Sequence, residues 1–171
     1  MEQHTRHTDT DAASSRSYIS IMIQCLKKKE GILDQIIQHN EKQAGLFLDV
    51  GLDPDVLEKS IEEKGALIRS LDLLDDGFQQ TFERMREELT QNREQYRDEI
   101  RQMQQLITSI TEKSNTIQVQ EQKNKKAADE HFTSVHRQIN QTKANFAKVS
   151  QYYRNVMDVK AKDIQQVYNE D

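Results

Sequence analysis

Residues 96–117 read Tyr-Arg-Asp-Glu-Ile-Arg-Gln-Met-Gln-Gln-Leu-Ile-Thr-Ser-Ile-Thr-Glu-Lys-Ser-Asn-Thr-Ile. The apolar members are Tyr96, Ile100, Met103, Leu106/Ile107, Ile110 and Ile117. Steps of three, four and seven place them on one side of a helix, with Gln, Arg, Lys, Glu and Asp opposite. The same stripe resumes at Phe132 and continues through Val135, Ile139, Phe146, Val149 and Tyr152/Tyr153. From Phe78 to the end there is neither glycine nor proline. So narrow a stripe on so long a helix needs partner helices.

The composition agrees. Hydrophobic residues make up 35% of the 171-residue chain and charged residues 31%, a balance that suits amphipathic helices wet on most of their surface. β-branched residues are scattered rather than clustered in strand-like runs. The sequence therefore predicts an all-α fold: one elongated antiparallel bundle of three long helices over about 17–48, 54–90 and 95–157. Residues 1–16 are polar and form an expected disordered tail, and residues 158–171, where the stripe decays, form a second tail.

Working back from the stripe, the strongest punctuation is Asp49–Asp55. Gly51 suits a helix stop, Asp53 an N-cap and Pro54, the only proline, a first helical position. Before it, Tyr18, Ile21, Met22, Cys25, Leu26, Ile32, Leu33, Ile36, Ile37, Ala44 and Phe47 give the first helix its apolar side, begun by Ser15 or Ser17 as N-cap. The Lys27–Lys29 run reads as a solvated face. After Pro54, Leu57, Ile61, Leu67/Ile68, Leu71, Leu74, Phe78, Phe82, Met85 and Leu89 form the second stripe, which Gly65 and Gly77 interrupt as bends or close contacts. A second turn is placed near 91–94. Without it a straight helix from Pro54 to Tyr153 would run about 150 Å and require a dimer to cover it. Gln118–Lys126, where Val119 is the only apolar residue, reads as a wet bend, a polar layer inside the bundle or the edge of the core.

Charge is divided between the helices. Residues 53–99 hold 7 basic and 14 acidic side chains, and residues 101–157 hold 9 basic and 4 acidic. That split favours folding one helix on another over self-pairing. Amides dilute the basic half and no aromatic platform interleaves with it, which argues against nucleic acid. Cys25 is the sole cysteine, so no intramolecular disulfide or thiolate zinc cluster is available, and a small buried hydrophobe is the expected role. No signal-peptide core and no membrane-length apolar run is present, and a soluble, cytoplasmic protein without stable membrane insertion is the expectation.

No catalytic constellation stands out. A phosphate loop and a nucleophile elbow are absent. Glu130 and His131 are adjacent rather than spaced as helical metal ligands, and neither His39 nor His136 has a spaced acidic partner. His4 and His7 lie in the polar tail without another ligand type. His131 falls on the helix seam, where a satisfied polar position is expected, and Asp75/Asp76 are assigned to a solvated acidic face. The expectation is a non-enzyme with no cofactor and no metal.

An interaction protein remains. A third helix of about 90 Å against a first helix of some 50 Å leaves one end without intramolecular cover. The candidate partner-binding residues are therefore Val135, Ile139, Phe146, Val149, Tyr152, Tyr153 and Met157, an aromatic-rich helical stripe. The alternative is that this end packs against the first helix as ordinary core.

The motifs Leu57-Glu-x-x-Ile61-Glu-Glu-Lys-Gly-x-Leu67-Ile-x-x-Leu71-Asp-x-Leu74-Asp-x-Gly-Phe78, Tyr96-x-x-x-Ile100-x-x-Met103-Gln-x-Leu106-Ile107 and Ile117-Gln-x-Gln-Glu121-x-x-Asn124 resemble the FlgN-type flagellar export chaperones, over roughly residues 18–157. The resemblance implies a helical cytoplasmic chaperone without catalytic activity. Its expected partners are the C-terminal helices of flagellar hook-associated junction proteins, which it would keep unassembled, and the gate or ATPase components of the flagellar type III export apparatus. The family binds through its C-terminal helix, the same region as the uncovered stripe. The rival class is a homodimeric coiled-coil scaffold or tether, so monomer and homodimer both stay open.

Overall fold

The computed structural model describes residues 3–138 and 151–155. Among them are three long helices and no strand: α1 (Gln3–Leu46), α2 (Pro54–Gln91) and α3 (Arg97–Gln138). Polar contacts give the directions. Lys29 meets Asp75 and Gln43 meets Ser60, so α2 runs antiparallel to α1. Asp34 meets Lys113 and Asn40 meets Gln120, so α3 runs parallel to α1.

Each helix buries a continuous heptad row. On α1 it is Ile19, Met22, Leu26, Lys29, Leu33, Ile36, Asn40 and Gln43, continued by Phe47 just past the helix end, all buried. On α2 the row begins Leu57, Ile61, Lys64, Ile68, Leu71, and on α3 it includes Ile110, Ser114, Ile117, Glu121, Asn124 and Ala128. Alternating steps of three and four keep such a row facing neighbouring helices. The polar members Lys29, Asn40, Gln43, Lys64, Ser114, Glu121 and Asn124 therefore go inside because of where they stand.

The first boundary follows its chemistry. Asp53 caps α2, its carboxylate accepting from the Asp55 N–H at 2.9 Å, with Pro54 at the first helical position. Gly51 is no left-handed stop, since no described glycine has a positive φ. Its N–H instead donates to Asp49 Oδ1 in a local turn that follows the end of α1. The second turn occupies residues 92–96. Asn92 N–H closes α2 on Glu88 O, and Tyr96 is buried beneath, its hydroxyl donating to Glu88 Oε1 at 3.1 Å. A continuous rod is thereby excluded.

Three expectations change. Residues 3–16 are helical and belong to α1. Ser17 is an interior residue whose hydroxyl donates to Ala13 O, one turn back, instead of capping the backbone ahead of it. Second, α1 has 44 residues, about 66 Å at the helical rise, so it offers more cover than the roughly 50 Å behind the expected projecting end. Third, residues 151–155 are helical but lie back against the bundle. Tyr153 OH is 3.3 Å from Asn124 O, whereas an unbroken helix would separate those residues by about 43 Å. The third helix therefore does not run straight to 157.

Candidate partner-binding site

α1 packs closely on both other helices, but no Cα of α2 comes within 8 Å of a Cα of α3. The bundle is thus a trough with α1 as floor and α2 and α3 as walls. Its three portions differ in what fills them.

At the end near the 47–53 loop, a helix is already seated. Tyr153 is 1% exposed in a socket of Phe47, Leu57, Ile61, Ala128 and Phe132. Its ring meets Phe47 edge-on at 5.3 Å and Phe132 at 6.1 Å, arrangements that aromatic quadrupoles favour. Arg154 Nε reaches Asp129 Oδ1 at 3.2 Å. His131 closes the rim, its Nδ1–H donating to Phe47 O at 3.0 Å, which makes it a satisfied polar position as its place on the seam suggests. A cavity of about 300 Å³ lies beside this socket, lined by Pro54, Asp55, Leu57, Glu58, Ile61, Tyr152 and Tyr153.

At mid-height the walls are tied by a polar layer. Lys64 Nζ donates to Glu121 Oε1 at 2.7 Å, Gln43 Oε1 at 3.0 Å and Asn40 Oδ1 at 3.1 Å, which satisfies all three of its protons. Asn40 Nδ2 donates to Gln120 Oε1, and Asn124 Nδ2 to Asn40 O. Burial pushes the Lys64 pKa down, with Glu121 pulling it partly back. Glu121 Oε2 is buried with no hydrogen-bond partner among the described residues. Gln118–Lys126 is therefore the polar layer inside the bundle, one of its three anticipated forms. The Lys64 and Glu121 motifs that carry the family resemblance meet here, so they hold the fold together instead of facing a partner.

At the far end the trough is open. Phe78, Phe82 and Leu89 form one wall, Ile100, Met103 and Ile107 the other, and Met22 the floor of a groove of about 370 Å³. The Phe78 and Phe82 rings are parallel with centroids 6.1 Å apart, and Ile107 remains 45% exposed. These residues are legible in the sequence as stripe members. That they line an opening is not, because the opening depends on the splay of α2 from α3.

Of the seven expected binding residues, three are described, Val135, Tyr152 and Tyr153, and they differ in exposure. Tyr153 is core, which corrects its assignment to a partner surface: its ring is enclosed by Phe47 and Phe132. Tyr152 is 39% exposed, and burial first, then Glu58 and Glu62, raise its pKa. Val135 is half-buried. Ile139, Phe146, Val149 and Met157 lie outside the described residues, as does the 158–171 tail. Two polar assignments also change. Lys29 is buried and Asp75 half-buried, paired at 2.6 Å, so neither belongs to a solvated face. Cys25 is half-buried.

Among the described residues no group of His, Cys, Asp or Glu is placed to hold a metal ion, and no helix is long and apolar enough to cross a membrane. No protein family, no curated protein and no solved structure matches this chain.

Proposed function

We propose that the protein is a helix-binding chaperone, and specifically, following its resemblance to FlgN-type proteins, one that holds the C-terminal helices of flagellar hook-associated junction proteins before export. The observation that carries this reading is the trough. One end already accepts a short helix through an aromatic anchor, Tyr153, and the other end presents apolar walls with nothing of the described chain between them. A partner helix laid along such walls gains by burying its apolar face. Each large side chain buried contributes about 1.5–3 kcal/mol gross, before ordering and association offset much of it. A chaperone of this kind works by occupying the stripe through which its client would otherwise assemble, then releasing it to the type III export gate or ATPase.

The homodimeric rod receives less support, since the turn at 92–96 divides the long helical stretch into two shorter helices that each pack on α1.

The test is affinity capture of the tagged full chain from its own cell, with identification of what accompanies it. Recovery of a junction protein, lost when that protein's C-terminal helix is deleted, is the expected result. Recovery of the chain alone, or of proteins whose retention ignores that helix, overturns the flagellar assignment.

A further inference from the structure

The charge around the open groove is unlike that of the molecule as a whole. The chain carries a net charge of −5, and α2 is its acidic helix. Yet the charged side chains lining the groove and the concave surface that adjoins it through Arg93, Ile100 and Gln104 are Arg86, Arg93, Arg97 and Arg101, against Glu94 alone. Arg93, Arg97 and Arg101 are exposed and make no ion pair with any described residue. Arg86 only approaches Glu83 at 4.0 Å, with both side chains exposed, a contact worth little in water. At the mouth of this apolar slot the lining arginines thus outnumber the carboxylates four to one.

We propose that the open end of the trough, between Phe82 and Ile107, seats an amphipathic helix of a second protein, and that this helix carries carboxylates on the edge meeting Arg93 and Arg97. The inference rests on the helix-binding reading and supplies the partner's chemistry and its site. The same two helices already admit a short helix around Tyr153 farther along. The apolar lining takes the partner's stripe of residues spaced by three and four. The guanidinium groups take its acidic flank, pairing with carboxylates by two parallel hydrogen bonds and rejecting basic helices. A second copy seated groove-to-groove would bring these arginines against their own equivalents, which like-charge repulsion disfavours. A phosphate-bearing nucleic acid would meet the arginines but leave the Phe78–Phe82 wall unused.

The test places a photo-crosslinking benzoylphenylalanine at Ile107, an exposed rim position, in the full chain expressed in its own cell, and identifies the cross-linked peptide by mass spectrometry. The expected product is a segment of another protein with apolar residues at three- and four-residue spacing flanked by at least two Asp or Glu. Its yield should fall about tenfold with Arg93→Glu and Arg97→Glu together, circular dichroism being unchanged. The same probe at Leu73, 74% exposed and outside the groove lining, should give no such product. Cross-linking to a second copy, to residues 156–171 of the same chain, to nucleic acid or to a segment without acidic flanks overturns the proposal. So does no product, or a yield indifferent to the charge reversals. Capture of a junction protein without this cross-link leaves the chaperone reading standing and removes only the site. The cross-link without a junction protein does the reverse.

Discussion

Lys64 Nζ and Glu121 Oε1 lie 2.7 Å apart at the centre of the bundle, the lysine side chain fully buried and the glutamate nearly so. They join the two helices whose backbones do not otherwise approach. An ion pair so enclosed adds little net stability over apolar packing, but removing one member strands the other. Lys64→Met and Glu121→Leu should each cost about 3–5 kcal/mol, while the double variant recovers most of that loss. Urea unfolding of the four proteins measures the coupling. Additive losses would show that the pair does not act as a unit.

Tyr153 and Tyr152 are neighbours in sequence with opposite fates. Tyr153→Ala empties the socket between Phe47 and Phe132 and should destabilise by about 3 kcal/mol, in the range for large aromatic residues truncated in cores. Tyr153→Phe keeps the ring and loses the hydroxyl bond to Asn124 O, about 1 kcal/mol. Tyr152→Ala should stay within about 0.5 kcal/mol. Thermal or urea unfolding checks the order.

Gly31 and Gly77 sit inside helices where an added Cβ would meet nothing within 4 Å. Neither is held by a close contact or a special backbone conformation, so Gly77 is not the tight approach its interruption of the α2 stripe suggests. Replacement of either by Ala should stabilise by about 0.5–1 kcal/mol through the lower entropy of the unfolded chain, seen as a higher urea midpoint at unchanged slope.

Alkaline pH tests the second turn. Burial first, then the hydrogen bond to Glu88 and its charge, raise the Tyr96 phenol above its ordinary 10.0. A group whose folded pKa is the higher one contributes stability that is fully present below about pH 10 and is lost as pH rises through the folded value. Tyr96→Phe should cost about 1 kcal/mol at neutral pH and lose less stability than the parent above pH 10. Parallel pH profiles for the two proteins would contradict this.

The three-helix layout is legible because its signals are local and redundant: a three-four stripe on each helix and the Asp53–Pro54 start of α2. The 92–96 turn carries no glycine or proline and is reached only through the length a straight rod would need. What stays hidden is the interior polarity. Reading only apolar residues makes Lys29 part of a solvated run and leaves Lys64 unnoticed. Extending the heptad row without regard to residue type, from Leu57 through Ile61 to Ile68, would have placed Lys64 inside. The helicity of residues 3–16 stays hidden because so polar a composition points to disorder, although no glycine or proline interrupts that stretch. The return of Tyr153 to Asn124 leaves no periodic mark, since the stripe around Tyr153 reads the same on either course of the chain.

The chain contains no tryptophan, so Ile107→Trp creates a single fluorescent reporter at the rim of the open groove. Titration of this full-length variant with the C-terminal helical fragment of a hook–filament junction protein is the most direct test of the trough as a helix-binding site. The account predicts a blue shift of the tryptophan emission that saturates at one fragment per chain, and no shift from a reporter at Leu73. Calorimetric binding with the Ile107→Trp emission unmoved, or no binding at all, would contradict it.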